Sequence, residues 1–189
     1  MKTLYISFII LALCGAAVAQ SPTSLSKKEQ RKLLKEERDK QKAIDAEHTA
    51  KLVDYMVKHR RFVLEADMLF DRYGQSYSVQ STINFVALDS LAGVIQIGNS
   101  MYIGSNGLGG VTIEGNIRNY EWEKNEKKGT YRVNYSVSST SGTYEVNISI
   151  HSGGNADATV YGTFGGSIRY SGNLVYPSES RVYKGYSRF

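Results

Sequence analysis

Residues 131–150 read Tyr-Arg-Val-Asn-Tyr-Ser-Val-Ser-Ser-Thr-Ser-Gly-Thr-Tyr-Glu-Val-Asn-Ile-Ser-Ile, and this stretch decides the fold. Tyr131, Val133, Tyr135 and Val137 alternate with Arg132, Asn134, Ser136 and Ser138; Tyr144, Val146, Ile148 and Ile150 alternate with Glu145, Asn147, Ser149 and His151. A period of two places successive side chains on opposite faces, so each run is a strand with one buried face. Ser139-Thr140-Ser141-Gly142 between them is small and polar and predicts a tight turn. The two runs therefore form an antiparallel hairpin.

Segments of the same kind lie on both sides, at 62–67, 77–88, 94–97, 101–103, 111–122, 158–164 and 168–175. Short polar or glycine-rich connections separate them, among them Gly98-Asn99-Ser100, Gly153-Gly154-Asn155 and Gly165-Gly166. Connections this short leave no room for crossover helices, so the strands run as an antiparallel meander. A meander of about eight or nine strands must double up or close. The expected fold is mainly β, a sandwich or lipocalin-like barrel preceded by one N-terminal α-helix.

The chain before Phe62 has a different character. Met1-Lys2-Thr3, the apolar run from Leu4 to Cys14, and Ala17 and Ala19 before Gln20 have the layout of a secretory signal peptide. Removing 19 of 189 residues leaves 170, enough for one domain with a core of its own. A lipoprotein with acylated Cys14 is the competing reading, and Leu13 disfavours it because that subsite takes small residues. Cys14 is the only cysteine, so the mature chain has no thiol for catalysis, disulfides or metal ligation. The domain scheme is a signal peptide at 1–19, a charged helical segment at 20–60 and a β domain at 61–189, and the localisation is the periplasm.

The net charge of +5 is concentrated in the helical segment. Residues 20–61 hold 12 Lys and Arg against 7 Asp and Glu, whereas residues 62–189 hold 10 against 11. A near-neutral β domain excludes a nucleic-acid-binding face. Ser26 is placed to cap a helix, and Leu33 and Leu34 are the only apolar pair from there to Lys42. Ile44, Leu52, Val53, Met56 and Val57 then recur at helical spacing. That stripe either covers an edge or open end of the sheet or offers Leu52, Val53, Met56 and Val57 to a cell-envelope partner or membrane surface.

Phe62-Val63-Leu64-Glu65-Ala66-Asp67, Asn84-Phe85-Val86, Gln96-Ile97, the block from Asn106 to Gly115, Tyr170-Ser171-Gly172 and Tyr183-Lys184-Gly185 occur in this order. Together they resemble domain-of-unknown-function family 4251, over residues from about Val53 to Gly185. The most specific part is Asn106-Gly107-Leu108-Gly109-Gly110-Val111-Thr112-Ile113-Glu114-Gly115. The resemblance implies an exported protein of a Gram-negative bacterium and brings no reaction, cofactor or catalytic residue with it.

Six glycines fall between Gly98 and Gly115. A phosphate loop needs a lysine and a following helix, whereas this block runs into a strand-like Val111-Thr112-Ile113. The residues suit a hairpin reversal with positive φ, or a bare surface where Asn106, Gly107, Gly109, Gly110, Thr112 and Glu114 meet a ligand. His48, His59 and His151 have no metal-binding spacing, and no Gly-x-Ser-x-Gly elbow is present. Asp67, Asp71, Glu114, Glu121 and Glu123 show no sign of forming a catalytic pair. Neither an enzyme, a cofactor nor a metal is expected. Two functions remain: a periplasmic module binding a small apolar or sugar-like ligand, and a structural or interaction protein of the envelope acting through its helix. A single cavity of several hundred cubic ångströms lined by Tyr and aliphatic residues would favour the first.

Overall fold

The computed structural model describes residues 26–99, 109–162 and 166–185. One helix, α1 (Lys27–His59), precedes nine strands: β1 (Arg61–Phe70), β2 (Ser76–Ser78), β3 (Phe85–Asp89), β4 (Ala92–Ile97), β5 (Val111–Asn125), β6 (Thr130–Ser139), β7 (Gly142–Ile150), β8 (Asn155–Tyr161) and β9 (Ser167–Val175). All pairings are antiparallel, and β9 returns to pair with β1 from Val63↔Val175 to Phe70↔Arg169. Eight strands thus close into a barrel, with β2 as an extra strand beside the end of β1. Of the two architectures left open by the sequence, the closed one forms.

The hairpin at its centre follows the alternation residue by residue. Tyr131 faces Ile150, Val133 faces Ile148, Tyr135 faces Val146 and Val137 faces Tyr144, so the apolar sets share the inner face. At the turn, the Ser139 hydroxyl donates to the Gly142 carbonyl (3.0 Å) and accepts the Ser141 amide (3.2 Å), while Gly142 takes φ +130°. Closing a sheet requires bends, and β-bulges supply them. One lies between Ala66 and Met68 on β1, the other between Arg118 and Glu121 on β5, where Asn119 has φ +54°.

The expected single strand at 77–88 is broken into β2 and β3. Asn84 is the physical reason. Its fully buried amide donates to the carbonyls of Gln80 (3.0 Å) and Gly98 (3.1 Å) and accepts the Gly98 amide (3.0 Å). These bonds stabilise the turn whose Ile83 amide donates to Gln80, in place of ladder bonds. The strand expected at 101–103 lies outside the described residues, as does the end of the one expected at 158–164.

The charged segment and the apolar stripe form a single helix. Ser26 and Glu29 make a reciprocal capping box: the Ser26 amide donates to the Glu29 carboxylate (2.9 Å) and the Glu29 amide to the Ser26 hydroxyl (3.3 Å). Residues 1–40 and 41–189 are separate compact units. In the first, all the described residues are solvent-exposed, Leu33 and Leu34 included. In the second, Val53, Met56 and Val57 are 1%, 1% and 0% exposed and join the barrel core, with Leu52 packed against it. Ile44, expected in the stripe, is 60% exposed and contributes nothing to it. Hydroxyls from the sheet hold this end of the helix: Tyr120 donates to the Val57 carbonyl (2.7 Å) and Tyr131 to the Asp54 carboxylate (2.5 Å). Lys58 and Tyr131, both bonded to Asp54, hold its carboxyl below the usual aspartate range. The stripe thus closes the end of the barrel where β1 begins, with Val53, Met56 and Val57 buried and Leu52 partly buried.

Candidate functional site

Each strand of a barrel turns alternate side chains inward, and at one end of this one those side chains leave a space. The end opposite the helix contains a cavity of about 520 Å³, open to solvent and within the size range of small-molecule sites. Its wall comes from five strands. Ile95 and Ile97 on β4, Val111 and Ile113 on β5, Tyr144 on β7, Val160 on β8, and Ile168 and Tyr170 on β9 supply the apolar surface. Asp71, Arg72 and Tyr73, in the turn after β1, form one side of the rim, and Gly162, Gly166 and Ser167 border it between β8 and β9.

Polar groups in the wall are few. The Tyr144 hydroxyl is 3.2 Å from the Ser141 hydroxyl. The hydroxyls of Tyr170 and, elsewhere in the core, Tyr135 are buried without a hydrogen-bond partner. Burial pushes both phenols well above their usual pKa, so they stay neutral. Tyr131 and Tyr135 are core residues as the alternation implies, whereas Tyr144 sits on the cavity wall.

The glycine-rich block has a different fate. Asn106 and Gly107 lie outside the described residues. Gly109 has φ +74°, and a Cβ on Gly110 would meet the Ile97 carbonyl oxygen at 1.9 Å. Thr112 and Glu114 face the outside of the barrel, where the chain after β9 bonds to β1, to the turn before β3, to β4 and to β5. Ser180 donates its hydroxyl to Glu65 (2.7 Å), and the Tyr183 amide donates to the Thr82 carbonyl (2.7 Å). The buried Gln96 amide donates to the carbonyls of Ile83 (3.1 Å) and Tyr183 (2.8 Å) and accepts the Thr112 hydroxyl (3.0 Å) and the Gly185 amide (2.8 Å). Lys184 pairs with Glu114 at 2.8 Å. Glu65, Gln96 and Glu114 therefore anchor a strap formed by residues 180–185, with Thr112 bonded to Gln96.

The remaining candidates do not converge. His59 stacks on Tyr55 and its Nδ1 is 2.9 Å from the Tyr55 carbonyl oxygen. Among the described residues, no group of three His, Cys, Asp or Glu side chains is placed to hold a metal ion. The sequence did not show which residues line the cavity, because its wall takes one or two residues from each of several strands, leaving no local motif; the inward alternation was the available signal.

The model of a domain of unknown function, DUF4251, matches residues 44–174. The chain belongs to the DUF4251 family. A solved structure agrees: a DUF4251 family protein from Bacteroides eggerthii DSM 20697, determined by crystallography at 1.95 Å, is 27% identical and aligns with a TM-score of 0.60. The alignment covers 70% of this chain and 90% of that one. No curated protein matches the sequence. The DUF4251 match begins within α1 and ends in β9, so it spans the barrel and stops before the strap.

Proposed function

We propose that this DUF4251 protein is an exported binding module that holds a small apolar ligand in the mouth of its barrel. The observation that carries the reading is the cavity of about 520 Å³ walled by isoleucine, valine and tyrosine. An apolar space of that size open to water favours a hydrocarbon guest, because each buried CH₂ contributes about 0.8 kcal/mol. A sugar ring fits this wall less well, since most of its hydroxyls would lose water without gaining a partner. Export rests on the signal-peptide layout of residues 1–19. No described helix is long and apolar enough to cross a membrane.

Two measurements test the proposal. Native mass spectrometry of protein recovered from its own cells should show a retained molecule, and intact mass should give an N-terminus at Gln20. Purified protein should brighten the neutral probe N-phenylnaphthylamine, and Ile113→Trp, which fills the mouth, should abolish the signal while leaving the melting temperature within a few degrees. No retained molecule together with no probe binding defeats the binding reading. A mass beginning at an acylated Cys14 defeats the cleavage reading.

A further inference from the structure

The ligand class follows from the rim, on the premise that the cavity is a binding site. Hydrocarbon is accommodated along Ile95, Ile97, Ile113 and Ile168, while charged side chains border the cavity only at the turn after β1 among the described residues. This turn is built independently of any guest. The Asp71 amide donates to the Gln75 carbonyl (3.0 Å), the Gly74 amide donates to the Asp71 carbonyl (3.0 Å), and Gly74 takes φ +83°. One carboxylate oxygen of Asp71 accepts the amides of Tyr73 (2.8 Å) and Gln75 (2.9 Å), so its charge is met inside the turn.

Arg72 is placed differently. One of its terminal nitrogens donates to the Tyr73 hydroxyl (2.6 Å), and the guanidinium lies 4.7 Å from the centre of the Tyr73 ring. These contacts orient the planar group and use one of its five N–H donors. The end of the cavity that meets water thus carries the Arg72 guanidinium, next to an Asp71 carboxylate that is bonded within its own turn, and the rest of the wall is mainly aliphatic.

We propose that the cavity takes an amphipathic carboxylate, a fatty-acid-like molecule whose chain lies along the isoleucine wall and whose anionic head is held by Arg72. A guanidinium matches a carboxylate with two parallel hydrogen bonds, which an alcohol head cannot reproduce and an ammonium head opposes. The rim stays in water, so the charge sets the preference among heads while the chain supplies most of the affinity.

Displacement of N-phenylnaphthylamine by dodecanoate, dodecanol and dodecylammonium tests this in the full chain. Dodecanoate should bind about fivefold to tenfold more tightly than dodecanol, with dodecylammonium the weakest, and added salt should narrow the spread. Arg72→Gln should remove the advantage of dodecanoate and leave dodecanol unchanged, which also shows that the variant is folded. Equal binding of dodecanoate and dodecanol to the parent protein overturns the carboxylate assignment and leaves the binding reading standing. Persistence of the preference in Arg72→Gln overturns the assignment in the same way. Failure of the probe and all three competitors to bind overturns both.

Discussion

The Gln96 amide sits at 0% exposure and makes four hydrogen bonds, two as donor and two as acceptor. Gln96→Leu keeps the bulk and takes their partner from the Ile83 carbonyl, the Tyr183 carbonyl and the Gly185 amide at once. With about 1 to 3 kcal/mol for each buried group left unpaired, and some regaining water as the strap loosens, the expected loss is about 2 to 4 kcal/mol by urea denaturation. Glu114→Ala breaks only the half-exposed pair with Lys184 and should cost less than about 1 kcal/mol. The glycine block predicts a second ordering. Gly109→Ala places a side chain at φ +74°, at a cost of about 1 to 2 kcal/mol. Gly110→Ala drives a Cβ into the Ile97 backbone, which moves only if the β4–β5 pairing moves, so it should lower the melting temperature further than Gly109→Ala. The positive φ of Gly109 was legible in the sequence, because a run of glycines permits it. The partner of Glu114 was not, since Lys184 belongs to a segment with no period and is 70 residues away along the chain.

Along α1 the same backbone serves two environments, and the division is by side chain alone. Up to Lys40 the helix is held by its capping box and i,i+4 pairs such as Lys32–Glu36 at 4.0 Å, each contributing a few tenths of a kcal/mol. After Gln41, Val53, Met56 and Val57 enter the core. Deleting residues 20–40 should therefore lower helical circular dichroism while leaving the melting temperature of the barrel within a degree or two. Met56→Ala should cost about 2 to 5 kcal/mol through the cavity it opens beneath the sheet. Equal effects of the two changes on the melting temperature would mean that the stripe adds nothing to the core. Asp54 adds a pH dependence to this packing. Its carboxyl is held below the usual aspartate range, so its contribution is complete above about pH 4 and fades as acid protonates it in the folded state. Asp54→Asn should remove that part of the acid sensitivity. The 3.6-residue spacing revealed the stripe, but spacing alone included Ile44, which lies in the same face pattern yet short of the sheet.

Across the whole molecule, the alternation of 131–150 identified antiparallel strands and their inner faces but not their closure. Closure depends on Val63–Phe70 meeting Arg169–Val175, about 100 residues later, and on bulges at Ala66 and Asn119 that carry no signature beyond an ordinary strand sequence. Hydrogen exchange distinguishes a closed barrel from an open sheet of the same strands. In an open sheet β1 and β9 would be edges, with half their backbone groups facing water, and would fray well before the centre. Here β1 is paired on both sides, to β3 or β2 and to β9, and β9 to β8 and β1. Their amides should thus exchange with free energies close to those of β6 and β7, all approaching that of global unfolding. Two segments should stand apart: residues 27–40, whose helix buries no side chain, and β2, which pairs only with Met68–Phe70. Both should exchange orders of magnitude sooner. Early exchange in β1 and β9 together, with β6 and β7 still protected, would show that the seam opens by itself. The cavity at the β9 end would then open with it, since Ile168 and Tyr170 belong to the strand that closes the seam.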